Sequence, residues 1–281
     1  MKAFTLLKYA GSKRRFVDLI NKEIAKTNCN IYIEPFLGSG AVFLNLEKQY
    51  ERKILSDLDR NLIRIWQSFF ELNSFEQLEK IYQIWQSDYG NWGRNKQLYY
   101  QFRDAMNVKY FNTNDINEGL FFYMISRSCI NSLMRFGKNG FNQGFGNRGY
   151  SLEFDNVKFN LLKVKLENTE LFNLDFFELI NKLNLLDNKD ALWFIDPPYT
   201  STTYYHFSEY NDSKNSLLNN KEKFYEILKS IQGKVIYTDM YTEDIKNLLK
   251  WRIIDIRDLI SIRPHKSAGT IRGKEVMYCN F

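Results

Sequence analysis

Apolar positions Phe16, Leu19, Ile20 and Ile24 recur at helical spacing and predict a helix over residues 12–27, while NIYIE at 30–34 reads as a short buried strand. A glycine turn then leads into a second predicted helix from about Gly40 to Tyr50, carrying Val42, Phe43 and Leu46. A strand over Lys53 to Ser56 follows and ends at Asp57. Strand, glycine turn, helix, strand, acid is the order found where nucleotides bind. From about Asn61 to Phe136 the pattern turns helical, aromatic and polar, with IWQSFFELNSFEQLEKIYQIW and EGLFFYMISRSCINSLMRF as its longest periodic runs. GKNGFNQGFGNRGY at Gly137 to Tyr150 reads as a loop. Alternation then resumes: a helix near Phe172 to Leu183, a strand at Ala191 to Ile195, a helix near Lys221 to Ser230, a strand at Lys234 to Tyr237 and a terminal hairpin within Trp251 to Phe281. The expected class is α/β, a parallel sheet built from residues 1–60 and 151–281 and interrupted by a mainly helical inserted domain at 61–150.

Composition narrows the classes. A chain of 281 residues that is 44% hydrophobic can bury a sizeable core. No run of about 20 apolar residues occurs, and the opening MKAFTLLKYAGSKRR lacks the apolar stretch and cleavage site of a secretory signal, so a cytoplasmic protein with no membrane partner is expected. Cys29, Cys129 and Cys279 are odd in number and widely separated, which fits reduced packing residues better than disulfides or zinc. With only His206 and His265, far apart, histidine bases and a metal site are both disfavoured. The net charge of +6 is a mild hint of a polyanionic partner. Its placement says more: basic residues cluster at Lys8 to Arg15, Arg127 to Arg148 and Arg263 to Lys274, among Gly, Asn and aromatic residues rather than acids.

The sharpest chemical signal is Trp193-Phe194-Ile195-Asp196-Pro197-Pro198-Tyr199, an apolar strand closed by an acid, two prolines and an aromatic. Prolines cannot continue a ladder, so they end the strand rigidly at the carboxyl edge of the sheet, where open α/β proteins bind ligands. The plain alternative is a strand ending in a turn. An adenine amine is a weak nucleophile because its lone pair is delocalised into the ring. An Asp196 carboxylate and a Pro197 carbonyl would accept hydrogen bonds from it and favour the positive charge that develops on nitrogen, while Tyr199 could stack on the base.

DPPY at Asp196 to Tyr199 resembles the catalytic motif of the amino-group DNA methyltransferases. KYAGSK (Lys8 to Lys13), EPFLGSG (Glu34 to Gly40), SDLDRNLI (Ser56 to Ile63), NSLMRFGKNGFNQGFG (Asn131 to Gly146) and KEVMYCN (Lys274 to Asn280) resemble, in order, those of the Dam-like adenine-specific family. The resemblance covers nearly the whole chain, although Trp66 to Glu118 matches only in character. It implies a Rossmann-like S-adenosylmethionine-dependent catalytic domain, an inserted target-recognition domain, double-stranded DNA as partner and base flipping. It also implies N6 methylation of adenine, with restriction-modification beside a cognate endonuclease and epigenetic marking both open, while the Asn- and Lys-rich composition suggests an AT-rich bacterial or phage genome.

By the same resemblance, Asp196, Pro197, Pro198 and Tyr199 are catalytic. The cofactor falls to Tyr9, Ala10, Gly11 and Lys13, to Glu34, Pro35, Phe36, Gly38 and Gly40, and to Asp57, Asp175, Phe176 and Asp196. Independently of family, Gly38 and Gly40 permit close backbone approach, and Asp57, about 20 residues on, is placed for ribose hydroxyls. Lys13 could instead be a solvated helix-start lysine, and Asp175 a helix cap. Asn131, Arg135, Lys138, Asn139, Phe141, Asn142 and Arg148 read as DNA contacts, with Phe141 and Phe145 able to wedge or stack, against the alternative of a packed loop. Family members commonly carry glycine and asparagine where this chain has Ser132 and Gly137, and proline at Gly144, which leaves the recognised base sequence open. Thr200 to Phe207 are expected to form a lid in which Tyr204 or Phe207 could hold the base. Three other readings stay open: the same chemistry on the N4 amine of cytosine, a catalytically silent DNA-binding module, and an RNA or small-molecule methyltransferase.

Overall fold

A computed structural model of the chain describes residues 4–9, 11–111, 113, 115–132, 134–147, 156–198, 220–261 and 271–281. After a 3-10 turn at Lys13–Phe16, the elements in chain order are α1 (Val17–Ile24), β1 (Ile31–Glu34), α2 (Ala41–Leu44), β2 (Arg52–Ser56), α3 (Arg60–Glu71), α4 (Phe75–Tyr89), α5 (Lys96–Tyr110) and α6 (Ile116–Ser128). There follow β3 (Phe136–Gly137), β4 (Gly140–Phe141), α7 (Asn156–Leu166), β5 (Thr169–Phe172), α8 (Phe176–Leu183), β6 (Ala191–Ile195), α9 (Lys221–Ser230), β7 (Lys234–Met240), α10 (Glu243–Leu249), β8 (Arg252–Ser261) and β9 (Ile271–Cys279). They divide between two compact units, one of Asp18–Leu37, Leu46–Leu58 and Asn168–Phe281, the other of Met1–Val17, Gly38–Asn45 and Asp59–Glu167.

The first unit is a seven-stranded sheet in the order β5-β2-β1-β6-β7-β9-β8. The five strands from β5 to β7 are mutually parallel, and the terminal hairpin β8–β9 joins antiparallel to β7. Strand β6, ALWFI, is buried at all five positions, as expected of a parallel strand covered on both faces. Trp193, Ile195, Val235 and Tyr237 pack in one apolar cluster with Phe176 and Ile180 of α8 and Phe224 and Leu228 of α9. The chain moves outward from β1 through β2 to β5, then returns to the other side of β1 as β6. The strand order therefore reverses between β1 and β6, the switch point at whose carboxyl ends a crevice opens in such sheets. The fold is of the α/β class, with a parallel-dominated sheet, that the alternating pattern predicts.

In the second unit α3 packs closely on α6. A Cβ on Gly119 would come within 2.1 Å of the Arg64 carbonyl oxygen, so only glycine lets the helices meet at this depth. The Arg64 guanidinium pairs with the Glu118 carboxylate there, both side chains buried. The Lys163 ammonium on α7 donates to the carbonyls of Phe70 and Leu72, each at 2.9 Å, and so caps the end of α3.

Several elements differ from the pattern-based expectation. The helix expected from Gly40 to Tyr50 is one turn, because the Asn45 amide donates to the carbonyls of Ala41 and Phe4 (2.7 and 2.6 Å) and accepts from the Phe4 N–H at 2.8 Å, diverting the chain. The helix expected near Phe172 starts at Phe176, and Thr169–Phe172 is an edge strand instead. Helices α7 and α10 were not legible by period, and β7 runs three residues beyond Tyr237. The loop at 137–150 contains a two-stranded hairpin, β3 with β4. Within the second unit the amino-terminal segment, the glycine turn and α7 group with the helices, so its bounds differ from 61–150.

Candidate active site and nucleic-acid interface

Within the sheet unit, the carboxyl ends of the neighbouring strands β2, β1 and β6 each deliver an acid. Strand β1 ends at Glu34, which is buried and accepts a 2.8 Å hydrogen bond from the Tyr32 hydroxyl. Burial, then the charge of Glu34, pushes the Tyr32 phenol well above its usual range, so it remains a donor at any ordinary pH. The buried Pro35 follows, and the Phe36 ring then lies stacked on Phe176 of α8, with centroids 5.8 Å apart and planes 17° off parallel. The Leu37 N–H donates to Ser56 O at 2.9 Å, tying the start of the glycine turn to the end of β2.

Asp57 stands directly after β2 and is 2% exposed. Its backbone is fixed by Asn173, whose amide donates to the carbonyls of Asp57 and Leu58 at 2.9 and 3.0 Å. Asp175 caps α8: it accepts from the Glu178 N–H at 2.8 Å, and Glu178 returns a bond to the Asp175 N–H at 3.1 Å. Desolvation outweighs those hydrogen bonds and raises its carboxyl above the usual range.

Asp196 is half-buried just beyond β6, with Pro197 buried and Pro198 half-buried after it. Ile195 pairs in register with Tyr237, so the next step along the parallel pair sets Asp196 beside Thr238 on β7. The Thr238 hydroxyl donates to Asp196 Oδ1 at 2.5 Å. One residue on, the Asp239 carboxylate accepts from the Tyr237 hydroxyl and, at 2.6 Å, from the Met240 N–H, and Thr238 and Asp239 are both fully buried. Tyr199 and the expected lid at Thr200 to Phe207 lie outside the described residues.

The second unit brings the amino-terminal element to the glycine turn. Gly38 has φ +49°, and the Tyr9 ring would lie 3.4 Å from a Cβ there. Gly40 (φ +61°) opens α2 in the same left-handed region, which explains two glycines within three residues. Ser12 Oγ and Ser39 Oγ are 2.9 Å apart. Gly11 is exposed with φ +79°. Lys13 is not a solvated lysine: it is 3% exposed and its ammonium donates back to Gly11 O at 3.2 Å. Ala10 lies outside the described residues.

In the hairpin region Asn131, Arg135, Lys138, Asn139 and Asn142 are all exposed. Phe141 is the exception and corrects the wedge expectation: it is 1% exposed and packs edge-on against Phe136, with no face left for a base. Phe145 is half-buried, tilted against Tyr99. Arg148 lies outside the described residues. The sequence reading missed Asn107 on α5, whose amide donates to Phe141 O at 2.9 Å and accepts from its N–H at 3.0 Å, clamping the hairpin to the helix. It also missed Thr238. An Asn on a helix and a Thr in a strand carry no local signature, whereas Thr238 could have been found by counting β7 forward in register with β6. Among the described residues no group of three or more His, Cys, Asp or Glu could hold a metal ion, and no helix is long and apolar enough to cross a membrane.

An open α/β sheet whose central parallel strands end in acids at the switch point is the architecture of proteins that bind nucleotide-like ligands at the carboxyl edge. The family model of the D12 class N6 adenine-specific DNA methyltransferases matches residues 9–262, and the chain belongs to that family. Its relatives agree. A DNA adenine methylase of Haemophilus influenzae is 30% identical over 276 residues, covering 95% of this chain and 91% of that protein. The type II methyltransferase M.MjaIII of Methanocaldococcus jannaschii is 27% identical over 259 residues, covering 87% and 86%. M.CviBI of Paramecium bursaria Chlorella virus NC1A is 27% identical over 252 residues, covering 86% and 85%. The chain is therefore an adenine-specific DNA methyltransferase, and N6 of adenine replaces the cytosine alternative.

Proposed function

We propose that the methyl donor is S-adenosylmethionine and that Asp196 and Pro197 receive the target amine of an adenine flipped out of duplex DNA. The single observation that carries this reading is Asp196 at the sheet's switch point, ending β6 with two prolines behind it and a hydroxyl bonded to its carboxylate. The residues present fit a nucleoside-bearing donor. Asp57 is a buried acid at the end of β2, suited to ribose hydroxyls, and the Phe36–Phe176 pair offers an aromatic surface. When bound, S-adenosylmethionine supplies an electrophilic sulfonium methyl for direct displacement, with no covalent enzyme intermediate. Glu34, Pro35, Phe36, Asp57, Asp175 and Phe176 hold it in the sheet unit. By their motifs, Tyr9, Ala10, Gly11, Lys13, Gly38 and Gly40 are also donor-binding residues.

Asp196 and the Pro197 carbonyl accept the two N–H bonds of the amine, which directs its lone pair outward and favours the positive charge growing on nitrogen. Pro198 fixes the direction of that carbonyl, Tyr199 stacks on the base, and the released proton passes to solvent. Residues 61–150 serve target recognition, with Arg135 and Lys138 on phosphates and Asn131, Asn139 and Asn142 toward base edges or sugar. Arg148 joins the phosphate contacts by its charge. The cell context is bacterial or phage, with a cognate endonuclease or a regulatory mark as its purpose.

The test is to incubate the protein with unmethylated genomic DNA and labelled S-adenosylmethionine, then to sequence the product by a modification-sensitive method. N6-methyladenine in one short motif is the expected result. Binding of the donor with no label on DNA would overturn the reading in favour of a silent DNA-binding module.

A further inference from the structure

We infer that Thr238 is a positioning residue for methyl transfer: its hydroxyl fixes the plane of the Asp196 carboxylate, the acceptor for the target amine. The inference deepens the role given to Asp196 and rests on that role.

Strand β6 ends at Ile195, and Asp196 and the two prolines follow, so the ladder does not continue past Asp196. Strand β7 continues to Met240, three residues beyond Tyr237, the residue paired with Ile195. That overhang is held on its other side by β9, where Thr238 pairs with Met277 and Met240 with Glu275. The hydroxyl is thus carried by a strand with a ladder partner of its own, inside the protein, while the carboxylate it meets is half-buried at the edge. Side chains at in-register positions of parallel neighbours leave the sheet on the same side, which is why Thr238 and Asp196 meet. β-branching leaves Thr238 few rotamers, so the donor direction is set by the backbone.

The chemistry follows from which form of Asp196 is useful. The target amine donates its protons, so the aspartate has to accept, and a neutral carboxylic acid would present a proton of its own. A donor bonded to the carboxylate removes the rotation that would otherwise have to be frozen when the base arrives, a cost that falls on the transfer step rather than on DNA binding.

The experiment compares Thr238→Val, which keeps shape and loses the donor, with Thr238→Ser, which keeps the donor, and with Asp196→Ala. It measures kcat, KM for DNA and donor affinity on unmethylated duplex. Thermal melting confirms that each variant is folded. For Thr238→Val, kcat falls roughly ten- to a hundredfold, the loss of one hydrogen bond to a charged group. Its KM and donor affinity stay within about twofold of the parent. Thr238→Ser, which keeps the donor, restores most of the rate. If Thr238→Val keeps the parent kcat while Asp196→Ala is dead, the positioning role fails and the role of Asp196 stands. If Asp196→Ala retains turnover, the reading beneath it fails. A loss in Thr238→Val that Thr238→Ser shares in full, or that falls on KM for DNA rather than on kcat, assigns Thr238 to packing and also overturns the inference.

Discussion

The acids at the sheet's carboxyl edge and the acids that meet arginines are buried for different ends. Three buried acids of the sheet unit stand at strand ends on the carboxyl edge: Glu34 after Ile33, Asp57 after Ser56, Asp239 near the end of β7. Each is held by hydroxyl or amide donors on the sheet itself or, for Asp57, through its backbone. Other buried carboxylates are met by arginines in both units: Glu118, in the first turn of α6, by Arg64 in the helical unit, and Glu275 and Glu23 by Arg257 and Arg252 in the sheet unit. Neutral donors leave an acid its charge and its capacity to accept from a ligand, whereas a guanidinium fork spends that charge on the fold. The same residue type therefore signals chemistry where neutral donors hold it at a strand end and architecture where an arginine meets it.

The largest test of that contrast is Asp196→Ala, expected to lower methyl transfer to below roughly a thousandth of the parent while the melting curve stays put, since one half-buried edge carboxylate carries developing charge and little packing. Turnover near the parent value would break the assignment of chemistry to the sheet edge. Glu118→Ala should do the converse. Leaving Arg64 buried without its partner is expected to cost roughly 3–5 kcal/mol in urea unfolding. A stable Glu118→Ala protein that had lost only turnover would reverse the contrast.

Asn107→Ala separates fold from DNA contact within the helical unit. Losing both bonds to Phe141 is expected to cost about 1–3 kcal/mol and to weaken duplex binding, leaving donor binding unchanged in a titration. The sheet unit also has its own alkaline limit. Burial pushes the Cys279 thiol up to about 12 from a free value of 9.0. The unfolded chain therefore sheds this proton first, so stability is whole below pH 9 and drains as pH climbs toward 12. Urea melts at about pH 8 and about pH 10.5 should show that loss shrinking in Cys279→Ala. A slope unaltered by the substitution would place the alkaline limit elsewhere, for instance at Tyr278, also pushed up to about 12. The smallest effect concerns Ser132, whose φ of +55° is a left-handed strain that glycine does not feel. Ser132→Gly, the residue family members commonly carry there, is expected to stabilise the protein by about 0.5–1 kcal/mol, read as a shift in the urea midpoint.

Much of this was legible without coordinates. Residue pattern and turn chemistry are local, so strands β1, β2 and β6, helix α9 and the terminal hairpin fell where period and proline placed them. Asp196, Asp57 and the glycine turn stood out because strand-end acids and left-handed glycines leave marks in the sequence itself. Strand β5 and helix α7 did not stand out: the strand is only four residues long, and the helix carries Val157, Leu161 and Val164 exposed opposite buried Phe159 and Leu162, so no single apolar face marks its period. Phe141 read as a base wedge because exposure is not written in a residue's name.

The sequence by itself determined the chemistry: an acid and two prolines at a strand end, a glycine turn and a second acid about 20 residues on, in an order that admits few folds. Tertiary structure alone decided the company those groups keep. Thr238 lies 42 residues from Asp196 along the chain and meets it only because β6 and β7 pair in parallel register. Asn107 and Phe141, and Arg64 and Glu118, are likewise joined across gaps that no period spans. Local propensity acts over a few residues, whereas register and helix packing are settled by the whole core at once, and it is there that an acid is given its partner and with it its role.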